Sequence, residues 1–324
     1  MTDRQPLEIE FPLMRYDITM PLLEGRVSID GVKIKPVKSS SMINQEDPKI
    51  KSGDFGFIDL NIGYWLPAVE AGWELIALPV FSKRKPVSQL IFVNEKSGID
   101  SPAGLAGKRI GSRTYRTALT VWARGLLKEH YGVDFSRVTW VLQAKEVFPV
   151  YDSNATMEYV DSKRTMVERL VAGELDALIT DISDTKMFET LESDRNVKRL
   201  FPDYVGEDRK LYRETGIYTP VHMMVMSRRL DREHPELARK FYSAFEHAKT
   251  TAYDDISSDR GGFSVVYLRE RLKEQIEAWG DPWKYGIKAN KTTIDAFLRY
   301  NVEQGMIRSK PSYEAIFAAG TLDT

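Results

Sequence analysis

Six short, almost unbroken apolar runs limit what this chain can become. They are Phe55-Gly56-Phe57-Ile58-Asp59-Leu60, Leu75-Ile76-Ala77-Leu78-Pro79-Val80-Phe81, Gln89-Leu90-Ile91-Phe92-Val93, Val138-Thr139-Trp140-Val141-Leu142, Asp176-Ala177-Leu178-Ile179-Thr180 and Val221-His222-Met223-Met224-Val225-Met226. None alternates apolar with polar residues, so each reads as a strand covered on both faces of a sheet. Helical patterns separate them. Leu119, Val121, Trp122, Leu126 and Leu127 recur at helical spacing between about Thr117 and Tyr131, and Gly132 stands where a helix-ending glycine belongs. Strands interleaved with helices predict an α/β layer structure.

The order of these segments suggests two lobes. Arg26–Ile29 and Val32–Val37 flank Asp30-Gly31, a hairpin signal. After Asn94 the pattern restarts: Ser101-Pro102 caps a short helix through Leu105, Lys108–Gly111 and Val138–Leu142 are strands, Gln143 to about Asp161 is a polar loop, and Met166 to Leu175 is a helix. Beyond Met226 the chain is helical, over Glu236–Tyr253, Ser264–Trp279 and Thr292–Gln304. The economical arrangement is residues 1–94 as the first part of lobe one, 95–220 as an inserted lobe two, and 221–324 as the remainder of lobe one with its C-terminal helices.

Composition removes several classes of chemistry. There is no cysteine, so disulfides, thiolate metal sites and thiol nucleophiles are out. With 46 basic and 47 acidic side chains the net charge is −1, which offers no general attraction to nucleic acid or anionic membrane. The four histidines lack the spacing of a transition-metal site, and no Gly-x-Gly-x-x-Gly or Walker loop is present. Neither a metal nor another cofactor is expected. The N-terminal segment lacks an apolar run behind a basic stretch, and Tyr64–Phe81 is broken by Pro67, Glu70, Glu74 and Pro79, so a soluble cytoplasmic protein is expected.

Particular segments resemble known proteins. Phe92-Val93-Asn94, the stretch Ser97–Gly111 and Ala172-Gly173-Glu174-Leu175-Asp176-Ala177-Leu178 resemble the type II periplasmic-binding-protein fold. More specific is a resemblance to the 4,5-dihydroxyphthalate decarboxylase family, spread from about residue 15 to residue 317. It is carried by Gly25-Arg26-Val27, Ile76–Phe81, Val121-Trp122-Ala123-Arg124-Gly125-Leu126-Leu127, Arg199–Asp203, Thr215–Tyr218 with His222, Tyr285-Gly286-Ile287, Phe297–Tyr300 and Glu303-Gln304-Gly305. The resemblance implies a two-lobed fold with a ligand cleft between lobes and cofactor-free, non-oxidative decarboxylation of a hydroxylated aromatic acid. A solute-binding protein of an ABC importer for an aromatic or sulfonate anion, or another lyase on the same scaffold, are the alternatives. A small aromatic carboxylate is the expected partner, with nothing against a homo-oligomer. The chain departs from the family pattern at places expected to touch ligand: Ile18 and Met20 stand near expected arginines, Val87 and Ser88 replace an arginine and a histidine, and Thr180–Asp184 replaces an alanine, arginine and proline.

Candidate site residues follow from chemistry and position. His222 lies in an apolar strand at the return to lobe one and can exchange protons near neutrality, whereas His130, His234 and His247 sit among charged residues and read as surface. Asp17 is the expected partner for His222 or a phenolic proton, with Tyr16 and Thr19 beside it. Asp59 and Asn61, at a strand end, are further ligand contacts. Arg84, on a basic loop, could pair a substrate carboxylate. Ser112, Arg113, Thr114, Tyr115, Arg116 and Thr117 precede a helix whose unpaired amides suit an anion.

Overall fold

The computed structural model describes residues 5–11, 15–37, 48–152, 154–181, 184–258 and 263–324. They form two compact units: Met1–Arg84 with Pro220–Ile294 and Pro311–Thr324, and Lys85–Thr219 with Asp295–Lys310.

In the first unit the strand Pro220–Ser227 is central and buried at every position. Phe57–Asn61 runs antiparallel along one side, while Leu75–Ala77 and Lys83–Arg84 pair with it as well, also antiparallel. Side chains alternate between faces, so Met224 and Met226 share a face with Phe57, Ile76 and Leu78. That face is covered by the helix Leu237–Ser257 through Phe241, Phe245 and Ala248. Phe241 stacks on Phe57 with ring centroids 3.6 Å apart, and Phe11 meets both rings edge-on at 5.8 Å.

The expected hairpin about Asp30-Gly31 is replaced by something else. Gly31 does turn the chain, with φ +74°, and Ile29 bridges Val32. However, Val27 donates its N–H to the Pro21 carbonyl, and Val32–Pro36 pairs in parallel with Leu7–Phe11. The segment before the turn is tied to the preceding helix, so only one arm of the hairpin is a strand.

The second unit holds a six-stranded sheet in the order Val197–Arg199, Ile91–Asn94, Ala177–Ile179, Arg109–Ser112, Thr139–Leu142, Thr156–Tyr159. Ile91–Asn94 is antiparallel to both its neighbours and the last four strands are mutually parallel. Because Ile91–Asn94 hydrogen-bonds inside this sheet, the second unit begins at Lys85 and not after Asn94, and the chain leaves it at Thr219. Residues 295–310 also belong to it, which corrects their expected place with lobe one. Thr156–Tyr159 falls within the expected polar loop; it is an edge strand without an inward apolar face.

The helix Ala118–Tyr131 ends on Gly132, φ +64°, as its sequence indicates. Gly125 lies within it because Tyr300 needs the space: a Cβ there would stand 2.2 Å from the ring. The ring cannot retreat easily, since its hydroxyl donates to Glu129 and Trp122 meets it edge-on. Gly125→Ala gains up to about 1 kcal/mol of helix propensity. Overpacking of about 1–3 kcal/mol should exceed that gain. The expected result is a lower urea midpoint with an unchanged slope.

Candidate active site

His222, Met224 and Met226 share one face of the central strand, and the register places Asn61, Asp59 and Phe57 opposite them. This face is therefore apolar at the Met226 end and polar at the His222 end. His222 is 5% exposed and Asp59 4%. The imidazole Nδ1 lies 3.3 Å from Asp59 Oδ1, and the Ser82 hydroxyl donates to the same oxygen at 2.6 Å. Among the described residues neither Nδ1 nor Asp59 Oδ2 has a formed hydrogen bond. A catalytic contact is commonly this loose before substrate binds, and a carboxylate at Nδ1 orients the ring so that Nε2 is the atom for proton exchange.

The carboxylate beside the histidine is thus Asp59 and not Asp17. Asp17 is exposed on the short turn Asp17–Thr19. Thr19 is buried and local: it accepts from the Tyr16 N–H at 3.1 Å and donates to the Tyr16 carbonyl at 3.0 Å. Asn61 caps the helix Ile62–Glu70 by accepting from Gly63 N–H at 3.0 Å. Arg84 is also corrected. It is 5% exposed, donates to the Lys284 carbonyl at 2.9 Å and to Asn290 Oδ1 at 2.6 Å, and its guanidinium carbon lies 4.8 Å from the Phe81 ring centroid. These contacts fasten the Lys284–Asn290 segment within the first unit. Ser82 and Asn290 carried no sequence signal, since a lone serine or asparagine after an apolar run is ordinary.

The segment 112–117 belongs to the second unit and only part of it suits an anion. Arg116 is fully buried, ion-paired with Glu146 and bonded to the Phe148 carbonyl, so its charge is neutralised inside the protein. The Tyr115 ring lies 3.6 Å from the Arg124 guanidinium. Ser112 and Thr117 both stand within hydrogen-bond distance of Thr120 Oγ1, at 2.7 and 2.6 Å. Arg113 is exposed, and Thr114 Oγ1 is buried with no partner among the described residues. The anion-binding expectation narrows to Arg113, Thr114 and the helix start. His130 and His247 are exposed, as expected, and His234 is half-buried.

Two departures from the family pattern have structural uses. Val87 and Ser88 are buried, and Ser88 donates its N–H to Asp208 Oδ1 at 3.1 Å. In the Thr180–Asp184 loop Asp181 pairs with Lys85, while Ile182 and Ser183 lie outside the described residues. Burial pushes the Asp208 carboxyl up to about 6, against the pull of its hydrogen bonds from Ser88. A raised carboxyl pKa means that the folded state holds the proton more tightly. Its stabilising contribution is full below 3.8, the ordinary value, and is lost as pH rises through about 6. Between pH 5 and 8 this group should cost on the order of 1 kcal/mol. Asp208→Asn should lose correspondingly less stability across that interval, as read from urea melts at both pH values.

No family model matches the chain. A curated 4,5-dihydroxyphthalate decarboxylase of Comamonas testosteroni is 26% identical over 334 residues, covering 98% of both chains. The chain is thus similar from end to end to a 4,5-dihydroxyphthalate decarboxylase. A second protein of that name, from Pseudomonas putida, is 29% identical over 187 residues, covering 53% of this chain and 70% of that protein. Among solved structures, the periplasmic sulfonate-binding protein SsuA of Methylobacillus flagellatus matches with a TM-score of 0.58 at 12% identity, over 97% of this chain and 92% of its own. That likeness shows the fold, an α/β fold of two lobes. Among the described residues no helix is long and apolar enough to cross a membrane, and no three histidine or acidic side chains converge as metal ligands.

Proposed function

We propose that this protein is a carboxy-lyase that removes one carboxylate from a hydroxylated aromatic acid of the 4,5-dihydroxyphthalate kind, using His222 for proton transfer. The observation that carries the reading is the end-to-end likeness to a decarboxylase, over 98% of both chains. The buried His222–Asp59–Ser82 group gives that reading a chemical centre.

The chemistry needs a proton more than it needs a redox partner. A ring hydroxyl para to one carboxylate, once deprotonated, pushes electron density onto the carbon bearing that carboxylate. This carbon accepts a proton from His222 Nε2. The bond to the carboxylate then breaks, its electron pair returns to the ring, aromaticity is restored and carbon dioxide leaves. The hydroxyl proton leaves to solvent at the start and a proton returns to the phenolate oxygen at the end, so the net change is one carbon dioxide lost and one proton gained, the one delivered to carbon. Asp59, its Oδ1 also holding the Ser82 hydroxyl, keeps the imidazole oriented through both steps. The second carboxylate of the substrate needs a positive or amide-lined site.

The test is incubation of the purified protein with 4,5-dihydroxyphthalate in deuterium oxide. Carbon dioxide should be released and the ring product should carry deuterium at the vacated carbon. His222→Gln should lower kcat by about 10²–10⁴-fold with an unchanged melting temperature, the usual range for general acid–base catalysis. Full turnover in that variant removes the assignment of His222. Tight binding of hydroxylated aromatic acids or sulfonates without any turnover would instead favour a binding protein, the reading suggested by the fold it shares with SsuA.

A further inference from the structure

Within the second unit is a cavity of about 430 Å³ whose wall includes Tyr115, Arg124, Asp134, Asp152, Glu303 and Gln304. Arg124 rises from the middle of the helix Ala118–Tyr131 and is 2% exposed. Guanidinium stays charged in proteins, and a buried ion ordinarily has a counter-ion. Here, among the described residues, no carboxylate lies within ion-pair distance. Nε donates to Gln304 Oε1 at 2.8 Å and Nη1 to the Tyr115 carbonyl at 2.8 Å, while Nη2 has no partner. Of the five N–H donors that a guanidinium carries, neutral acceptors therefore take two.

The group is also held still. Its carbon sits 3.6 Å from the Tyr115 ring centroid and 5.0 Å from that of Trp140. Gln304 is fixed in turn, since its Nε2 donates to the Val121 carbonyl at 3.0 Å. A rigid, buried cation with unfilled donors, on a residue that lines a cavity, has the form of a carboxylate receptor. The rest of the wall carries three carboxylates against one further cation, Lys128. Asp134, Asp152 and Glu303 are acceptors, with Asp152 already receiving the Tyr115 hydroxyl at 3.4 Å and Glu303 lying 3.5 Å from Lys128.

We infer that this cavity is a second ligand site, separate from the His222 group, for a small carboxylate that also carries hydrogen-bond donors, a hydroxy acid or an amino acid. The carboxylate binds Arg124 and the hydroxyl or ammonium group faces the acidic wall. The inference stands on the second unit alone and does not depend on the decarboxylase reading.

The experiment is calorimetric titration and thermal melting of the full chain with 4-hydroxybenzoate, lactate, serine and acetate. At least one of the first three should bind and raise the melting temperature by roughly 2–4 °C at saturation, with acetate weaker. That binding should persist in His222→Gln and disappear in Arg124→Met. Ser136→Trp, which fills the cavity from an exposed position, serves as an independent block and should also abolish binding. Hydroxy-acid binding would identify that class of ligand, and serine binding the amino-acid class. No binding by any of the four, or binding that survives Ser136→Trp, overturns the inference.

Discussion

The strand Pro220–Ser227 is buried along its whole length, so water cannot satisfy its backbone groups and neighbouring strands must. Phe57–Asn61 and the 75–84 segment do so from separate parts of the chain. The position of the candidate site is a by-product of that pairing. Once His222 is opposite Asn61, the two-residue alternation of a strand brings Asp59 to the same face, and the segment after Leu75–Ala77 delivers Ser82 to the Asp59 carboxylate. A slip by one residue would turn Asp59 to the other face and set Ile58 or Leu60 in its place.

This dependence explains what could be read in the sequence and what could not. The apolar runs marked the strands, and Gly132 marked a helix end, because burial and left-handed backbone leave local signatures. Partner choice leaves none: the run around Met224 says that it is buried but not that Asp59 will lie across from it. Asp17 stands at a position that the resemblance places near ligand, yet it is exposed. The helices Thr185–Ser193 and Tyr204–Thr215 escaped notice because they bury so little, the first only Leu191 and the second only Asp208 and Leu211. The strand Thr156–Tyr159 was equally silent, having no covered apolar face. The resemblance to the decarboxylases supplied the lobe order that periodicity alone suggested, but not the boundary at Lys85, which depends on where Ile91–Asn94 finds its hydrogen bonds.

Net charge near zero proved to be a poor guide to where charge matters. Several cations are buried, and each has been given a different environment. Arg116 has Glu146; Lys249 has Asp281 at 2.9 Å and the Trp283 carbonyl at 3.0 Å; Arg84 has a carbonyl and an amide oxygen. For Arg116, removing Glu146 leaves a buried ion uncompensated, which is far costlier than losing a surface pair, whereas Lys249 keeps Glu246 at 3.1 Å if Asp281 is lost. Arginine count therefore says little about anion binding, because most of these guanidinium groups already serve the fold.

The interleaving of the two units has a consequence for how the chain can be made. Phe57–Asn61 and Leu75–Ala77 leave the ribosome long before the strand that pairs with them both. The sheet of the first unit cannot form until synthesis has passed Ser227, by which time the strands of the six-stranded sheet have all been delivered. The second unit in turn awaits Tyr300 and Gln304 to complete the packing around Gly125 and Arg124. Of the strands, the earliest apolar ones thus wait longest for a partner, and in that interval they are the segments with most need of a chaperone.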